Sequence, residues 1–315
     1  MLREECVEFP NDKGLLLRGV LHLADTAKRR GVSIICLNTG LNDMVGWHRL
    51  QVKIARFLAE YGYDVLRFNN FGIGESEGEI QEGNVFEIFE KIEKGLWAND
   101  ASCGLEYMMK KFDNSGKYLF MGYCGGALNA IHAAANDTRL HGIINIAAPI
   151  TLSTETVAKR LDPWNVQKSA EIYKKKFFRW RTIKNFFTGK SDYKKAFLTI
   201  TYLIRYKITG EYPARNPSES ETEKTRLKDN VNLSLFKSFD KYSKSNRPIL
   251  FYYAEHDVAT WELKQYFIPK YGNTKFWKKY CKVIEIQKAN HIFSDQETQQ
   301  QMKEDLYNWL ELNNF

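Results

Sequence analysis

The chain has 315 residues and a formal charge of +8, from 46 Lys+Arg against 38 Asp+Glu. At 43% hydrophobic and 14% aromatic, it is too apolar for a disordered chain and long enough for one large or two ordinary domains with a sizeable core. Seven prolines and 20 glycines exclude collagen-like and linker-rich designs, and no run approaches the roughly 18 apolar residues of a membrane span.

Taken in chain order, Cys6 to Phe9, a turn at Asn11 to Gly14, and Leu15 to Leu23 predict an antiparallel hairpin. Val32 to Leu37 is a short apolar run suited to a buried strand. Residues 45–61 place Leu50, Ile54, Phe57 and Leu58 at helical spacing, and Gly62 ends that helix. Tyr63 to Phe68 reads as a strand, and residues 85–113 as helix in two pieces. Lys117 to Met121 is a strand, followed by a glycine-rich turn and a small-residue helix over 124–136. Leu140 to Ala147 is the next strand. Pro248 to Tyr253 and Lys282 to Ile286 are strands, with helices over 259–271 and 296–312. Alternating apolar strands and helices predict an α/β fold, a mostly parallel central sheet covered on both faces.

One segment breaks that alternation. Residues 151–246 hold 21 Lys+Arg and 10 Asp+Glu, a net of +11, which leaves −3 for the remainder. Its aromatic residues, among them Tyr173, Phe177, Phe178, Trp180 and Phe187, suggest a helical cap. The expected division is a core of residues 1–150 and 247–315 with a basic cap insertion over 151–246. Ser218 to Glu223 reads as a low-complexity loop within it.

The stretch Leu119-Phe120-Met121-Gly122-Tyr123-Cys124-Gly125-Gly126 is strand, then Gly-x-Cys-x-Gly, then helix. A nucleophile elbow needs that form, because the reactive side chain sits on a strained turn whose neighbours two before and two after must be very small. Gly122 and Gly126 fill those places. The helix N-terminus that follows favours a thiolate and a developing oxyanion. An acid is then expected after a later strand and a histidine after the last one. Asp257 follows the strand ending near Ala254, with Glu255 as the nearest other acid. His291 follows the final strand. Nucleophile, acid, histidine is the α/β-hydrolase order.

The whole chain resembles an α/β-hydrolase. Asn38-Thr39-Gly40-Leu41 is similar to the family's His-Gly oxyanion loop. Arg67 to Gly78 resembles its Arg-x-Asp-x-x-Gly-x-Gly-x-Ser-x-Gly segment, with Asn69 in place of the usual Asp, a change that bears on stability more than on chemistry. Gly40 to Arg49 and Ala289 to Ser294 resemble exosortase-associated hydrolases of exopolysaccharide-producing bacteria, and more distantly serine aminopeptidase-like proteins. Cysteine replaces the usual serine, as in dienelactone hydrolases and polyhydroxyalkanoate synthases. Gly-Tyr-Cys-x-Gly-Gly is similar to the synthase box, but the chain is short for a synthase and Ala289 to Phe293 looks more like the hydrolase histidine loop.

The resemblance implies roles. Cys124 is the expected nucleophile, His291 the base and Asp257 its orienting acid. The N–H of Gly125, with that of Leu41 or, one residue earlier, Gly40, forms the oxyanion hole. The expected activity is acyl hydrolysis of an ester or thioester. The alternatives are acyl transfer to a hydroxyl or amine, and a non-catalytic binding protein on the same fold.

The other candidate residues carry less. His48 and Arg49 open the first helix and are candidates for the pocket entrance between core and cap. His256 reads as structural or solvated, His132 as packed along the helix after Cys124, and His22 and His141 as surface or strand-end residues. Cys6, Cys36, Cys103 and Cys281 read as small core residues, and with Cys124 they form no Cys-x-x-Cys pair. No cofactor and no metal is expected, and Gly72-x-Gly74 is not a dinucleotide fingerprint. The expected partners are a small-molecule acyl substrate and, through the basic cap, an acyl carrier protein or coenzyme A thioester. Lys174 to Arg181 could touch a membrane surface peripherally. No nucleic acid is expected. The first residues lack the basic-then-apolar layout of a signal peptide, so the expected compartment is the cytoplasm.

Overall fold

The structure is a computed structural model that describes residues 3–80, 83–113, 116–153 and 230–315. By contacts, the chain divides into one unit of Met1–Ser153 with Asn232–Phe315 and another of Thr154–Val231. The expected cap helices, the Ser218 to Glu223 loop and Lys174 to Arg181 lie outside the described residues.

The first unit is built on an eight-stranded sheet of order β1-β2-β4-β3-β5-β6-β7-β8. The strands are β1 (Arg3–Pro10), β2 (Leu16–Leu23), β3 (Val32–Leu37), β4 (Asp64–Phe68), β5 (Lys117–Tyr123), β6 (Gly142–Ile146), β7 (Ile249–His256) and β8 (Cys281–Asn290). The β1–β2 and β2–β4 pairs are antiparallel, and every other pair is parallel. The two-faced burial expected of such strands is complete in β3, where all six residues are buried. Val32, Ile34 and Cys36 point into one core, while Ile35 lies against Gly104 on the opposite face. This is the period-2 alternation of a strand.

The described helices are α1 (Leu50–Glu60), α2 (Val85–Glu93), α3 (Ala98–Lys111), α4 (Gly125–Asn136), α5 (Leu233–Tyr242), α6 (Val258–Glu262), α7 (Ile268–Tyr271), α8 (Lys275–Tyr280) and α9 (Gln296–Leu312). Helices α1 and α9 pack on each other over one face, and α3 and α5 pack against α4. Leu50, Ile54 and Leu58 of α1 join Leu306, Trp309 and Leu310 of α9 in that core. Each such side chain is worth about 1.5–3 kcal/mol on full burial.

Four readings change. The return to the core comes at Asn232 rather than 247, because α5 buries Leu235, Phe236, Phe239 and Tyr242 beside β7. Its exposed face carries Lys237 and Lys241, which continues the basic character of the preceding residues in sequence. The helix expected over 259–271 is broken by a π-turn at Leu263–Phe267, just ahead of Pro269, which has no N–H to continue an α-helical ladder. Of the two readings of His22 the strand end holds and the surface does not: it lies next to the end of β2 and is fully buried, Arg67 Nε donates to its Nε2 at 2.9 Å, and burial pushes its pKa down to about 4. Cys6 is exposed, on the same side of edge strand β1 as Glu4 and Glu8.

Candidate active site

Cys124 sits between the end of β5 and the start of α4, as the N-cap of that helix, at φ 53° and ψ −118°. A non-glycine residue in such a conformation costs on the order of 1–3 kcal/mol and persists only when its surroundings dictate it. They do so here. The Cys124 N–H donates to Ile146 O at 2.9 Å, and its carbonyl accepts from Ala127 N at 3.0 Å. A Cβ on Gly122 would stand 2.3 Å from Gly126 O, and one on Gly126 would stand 2.2 Å from Asn38 O. Both elbow glycines are therefore required by backbone contact. The thiol side chain is partly exposed.

Asp257 is the first residue beyond β7 and the N-cap of α6. Its Oδ1 accepts from Ala259 N at 3.0 Å, and its Oδ2 accepts from His291 Nδ1 at 2.8 Å. With one oxygen tied to backbone, the carboxylate has a single orientation to offer the imidazole. The Asp257 side chain is 4% exposed and that of His291 33%. Cys124 also acts on His291, favouring the charged imidazolium. With Nδ1 committed to Asp257, Nε2 is the nitrogen left for the thiol. Burial pulls the imidazole down, but the hydrogen bond to Asp257 and the charges of Cys124 and Asp257 outweigh it and hold the His291 pKa up at about 10.

The Gly40–Leu41 turn lies against the elbow. Asn42 N donates to Thr39 O at 3.0 Å, closing a turn with Gly40 at φ 52°. A Cβ on Gly125 would be 3.2 Å from Gly40 Cα and 2.9 Å from the Ile92 side chain. The turn is braced by buried amides. Asn69 Oδ1 accepts from Met44 N at 2.7 Å and from Asn38 Nδ2 at 3.2 Å, while Asn38 Oδ1 accepts from Asn70 N at 2.7 Å. Asn69 thus receives two donors on one oxygen, and the segment keeps its brace without a carboxylate.

The remaining candidates fall elsewhere. Glu255 accepts from Lys288 N at 2.6 Å, pinning an irregular stretch of β8 where Lys288 takes φ 61°. It holds the approach to His291 instead of His291 itself. His256 is exposed. His132 is buried, between Ser238 Oγ at 2.8 Å and Glu93 O at 3.1 Å. His48 and Arg49 are exposed, both with positive φ. Among the described residues, no cluster of His, Cys, Asp or Glu is placed to hold a metal, and no helix is long and apolar enough to cross a membrane. A cavity of about 710 Å³ lined by Arg30, Val32, Lys117, Glu311 and Phe315 lies at the opposite, N-terminal ends of β3 and β5.

Two residues of the site were not anticipated. Trp47 and Tyr123 both have ring centroids 5.6 Å from that of His291. Tyr123 carried a signal, being next to Cys124. Trp47 carried none beyond its place before α1.

No protein-family model and no curated relative matches the chain. Solved structures do. An α/β serine hydrolase without a lid from Xanthomonas campestris is 12% identical with a TM-score of 0.54, covering 98% of this chain and 94% of its own. An esterase from Pyrococcus furiosus is 14% identical with a TM-score of 0.58, covering 98% and 91%. Est1E of Butyrivibrio proteoclasticus, solved with ferulic acid bound, is 17% identical with a TM-score of 0.55, covering 98% of both chains. At these identities the likeness is one of fold, and the fold is that of the α/β-hydrolases.

Proposed function

We propose that the chain is an acyl hydrolase acting on an ester or thioester through an acyl-cysteine intermediate. The observation that carries this is Cys124, on a strained turn at a helix N-terminus, acting on a histidine whose Nδ1 is held by a buried aspartate at 2.8 Å. The esterase activity named for the structural neighbours agrees with it.

In this reading the Cys124 thiolate attacks the acyl carbon, forming the C–S bond and moving the carbonyl pair onto oxygen. The N–H groups of Gly125 and Leu41, or of Gly40, receive that oxyanion, each donor worth roughly 3–4 kcal/mol of barrier. Collapse expels the alkoxide or thiolate leaving group, which takes the proton from His291 Nε2. A water then gives its proton to His291, attacks the acyl carbon and releases Cys124. Asp257 keeps the Nδ1 proton in place and stabilises the imidazolium. A hydroxyl or amine in place of that water makes the same site an acyltransferase. A thioester donor suits it, since a thiol exchanges with one at little cost. The positive insertion would then steer an acyl carrier protein or coenzyme A thioester, a proposal that rests on charge alone.

Intact-mass analysis after incubation with p-nitrophenyl esters and acyl-coenzyme A tests the reading. An acyl adduct on Cys124 that clears with release of acid supports hydrolysis, and clearance only with an added acceptor supports transfer. Cys124→Ala should lose both adduct and turnover. Undiminished turnover in that variant sinks the cysteine as nucleophile, and an inert Cys124 across the panel favours a binding protein.

A further inference from the structure

The segment before α1 is more strained than an ordinary helix entry. Gly46, His48 and Arg49 take φ values of 69°, 53° and 59° around Trp47, so the chain turns through the left-handed region at three of four positions. The two non-glycine residues there are exposed, and each left-handed conformation costs energy that exposure does not return. Trp47 is the residue of the four that packs on the core.

Its contacts are specific. The Trp47 ring meets Tyr123 and His291, both at 5.6 Å between centroids, with interplanar angles of 88° and 65°. Tyr123 in turn stacks on His291 at 5.6 Å and 28°. The three rings form a closed group, backed by Phe293 at 6.1 Å from Tyr123. These distances lie within the roughly 6 Å over which an aromatic ring attracts a cation.

The charged groups acting on His291 come from the loop after β7 (Asp257) and the elbow (Cys124). The residues contributed by β5 and by the pre-α1 segment are neutral: an indole, and a phenol whose ionisation is pushed up by burial and by Cys124 and Asp257.

We propose that Trp47 is a positioning residue that, with Tyr123, brackets the His291 ring, fixing it in line with Cys124 and favouring its protonated form. The strained turn at 46–49 is what delivers the indole to that place. The inference rests on the reading of His291 as the partner of Cys124.

The test is the titration of His291, followed by NMR in protein carrying isotope-labelled histidine, with turnover of a p-nitrophenyl ester measured alongside. Trp47→Leu should lower the His291 midpoint by half a pH unit or more, a threefold change or greater in its protonation equilibrium. It should cut kcat about tenfold with little change in KM. Trp47→Phe, which keeps a ring, should restore most of both. Leu58→Ala, a core change in α1, should lower stability and leave the midpoint in place. A wild-type midpoint in Trp47→Leu overturns the proposal, as does an equal drop in Leu58→Ala.

If Trp47→Leu does not fold, the intact chain is grown with a fluorinated tryptophan, which keeps the ring's shape and weakens its face potential. The midpoint should then fall in the labelled wild type and hold in labelled Trp47→Phe, and an unchanged midpoint overturns the proposal. Failure of the parent reading looks different: iodoacetamide would not modify Cys124, while the His291 titration would remain measurable.

Discussion

Asp257 and Glu255 stand two residues apart, and the structure gives them separate work. Asp257 faces His291, and Glu255 holds the Lys288 N–H. Asp257→Asn should therefore lower turnover by about 10³–10⁴-fold, because the amide no longer enforces the required tautomer, while Oδ1 can still cap α6. Glu255→Gln should cost far less in rate. Steady-state kinetics on the two variants checks this, and a larger loss from Glu255→Gln would exchange their roles. His291 also ties the site to stability. Its folded pKa of about 10 lies above the ordinary histidine value of 6.5. Its contribution is thus complete below pH 6.5 and is lost as pH rises through 10. The wild-type melting temperature should fall more between pH 8 and 10.5 than that of His291→Asn, and parallel curves would contradict this. The placement of Cys124, Asp257 and His291 just past strand ends was legible in the sequence, because the apolar strand runs locate them. Trp47 was not, since nothing local says which way a left-handed turn aims an indole.

The elbow makes the sharpest demand on any element. A methyl on Gly126 would be driven to 2.2 Å from Asn38 O and 2.9 Å from Leu37 O, both backbone atoms that cannot swing aside. Gly126→Ala should destabilise the protein by several kcal/mol, beyond the usual range for a point change, through overpacking and backbone strain. Urea unfolding measures it, and a loss below about 1 kcal/mol would mean that β3 and α4 can separate. The elements themselves were largely readable. Helix α9 spans Gln296–Leu312, as its pattern predicts, and residues 85–113 do form two helices. Their interruptions were not. Strand β8 runs on to Asn290 past a register shift, and helix 259–271 breaks at a π-turn. Both depend on contacts made across the fold, such as Glu255 on Lys288, which no short window of sequence contains.

At the scale of the whole molecule, moving the return point to Asn232 changes the charge division. Residues 154–231 carry +9, and the rest of the chain −1. The chain leaves the core through a polar clamp. Glu262 accepts from Ile150 N at 2.6 Å and Thr151 N at 3.0 Å, and Glu93 accepts from Ser153 N at 2.7 Å. Burial raises Glu93 to about 7, against the lowering effect of its Ser153 hydrogen bonds. A folded pKa above the unfolded carboxylate value means that its stabilising contribution is present below about 4.5 and lost as pH rises through 7. Glu93→Gln should therefore gain melting temperature relative to wild type between pH 5 and pH 9, and a constant difference would contradict it. The clamp also closes a ring: Asn232 N donates to Ile150 O at 2.9 Å, and Asn232 Nδ2 donates to Glu93 O at 2.7 Å. The two ends of the insertion are thus moored at one berth. A segment attached that way is exchangeable cargo, since its length sets only a loop-closure cost of roughly 0.6 kcal/mol per doubling. Selection could lengthen or shorten what lies between Ser153 and Asn232 without disturbing a described strand of the sheet.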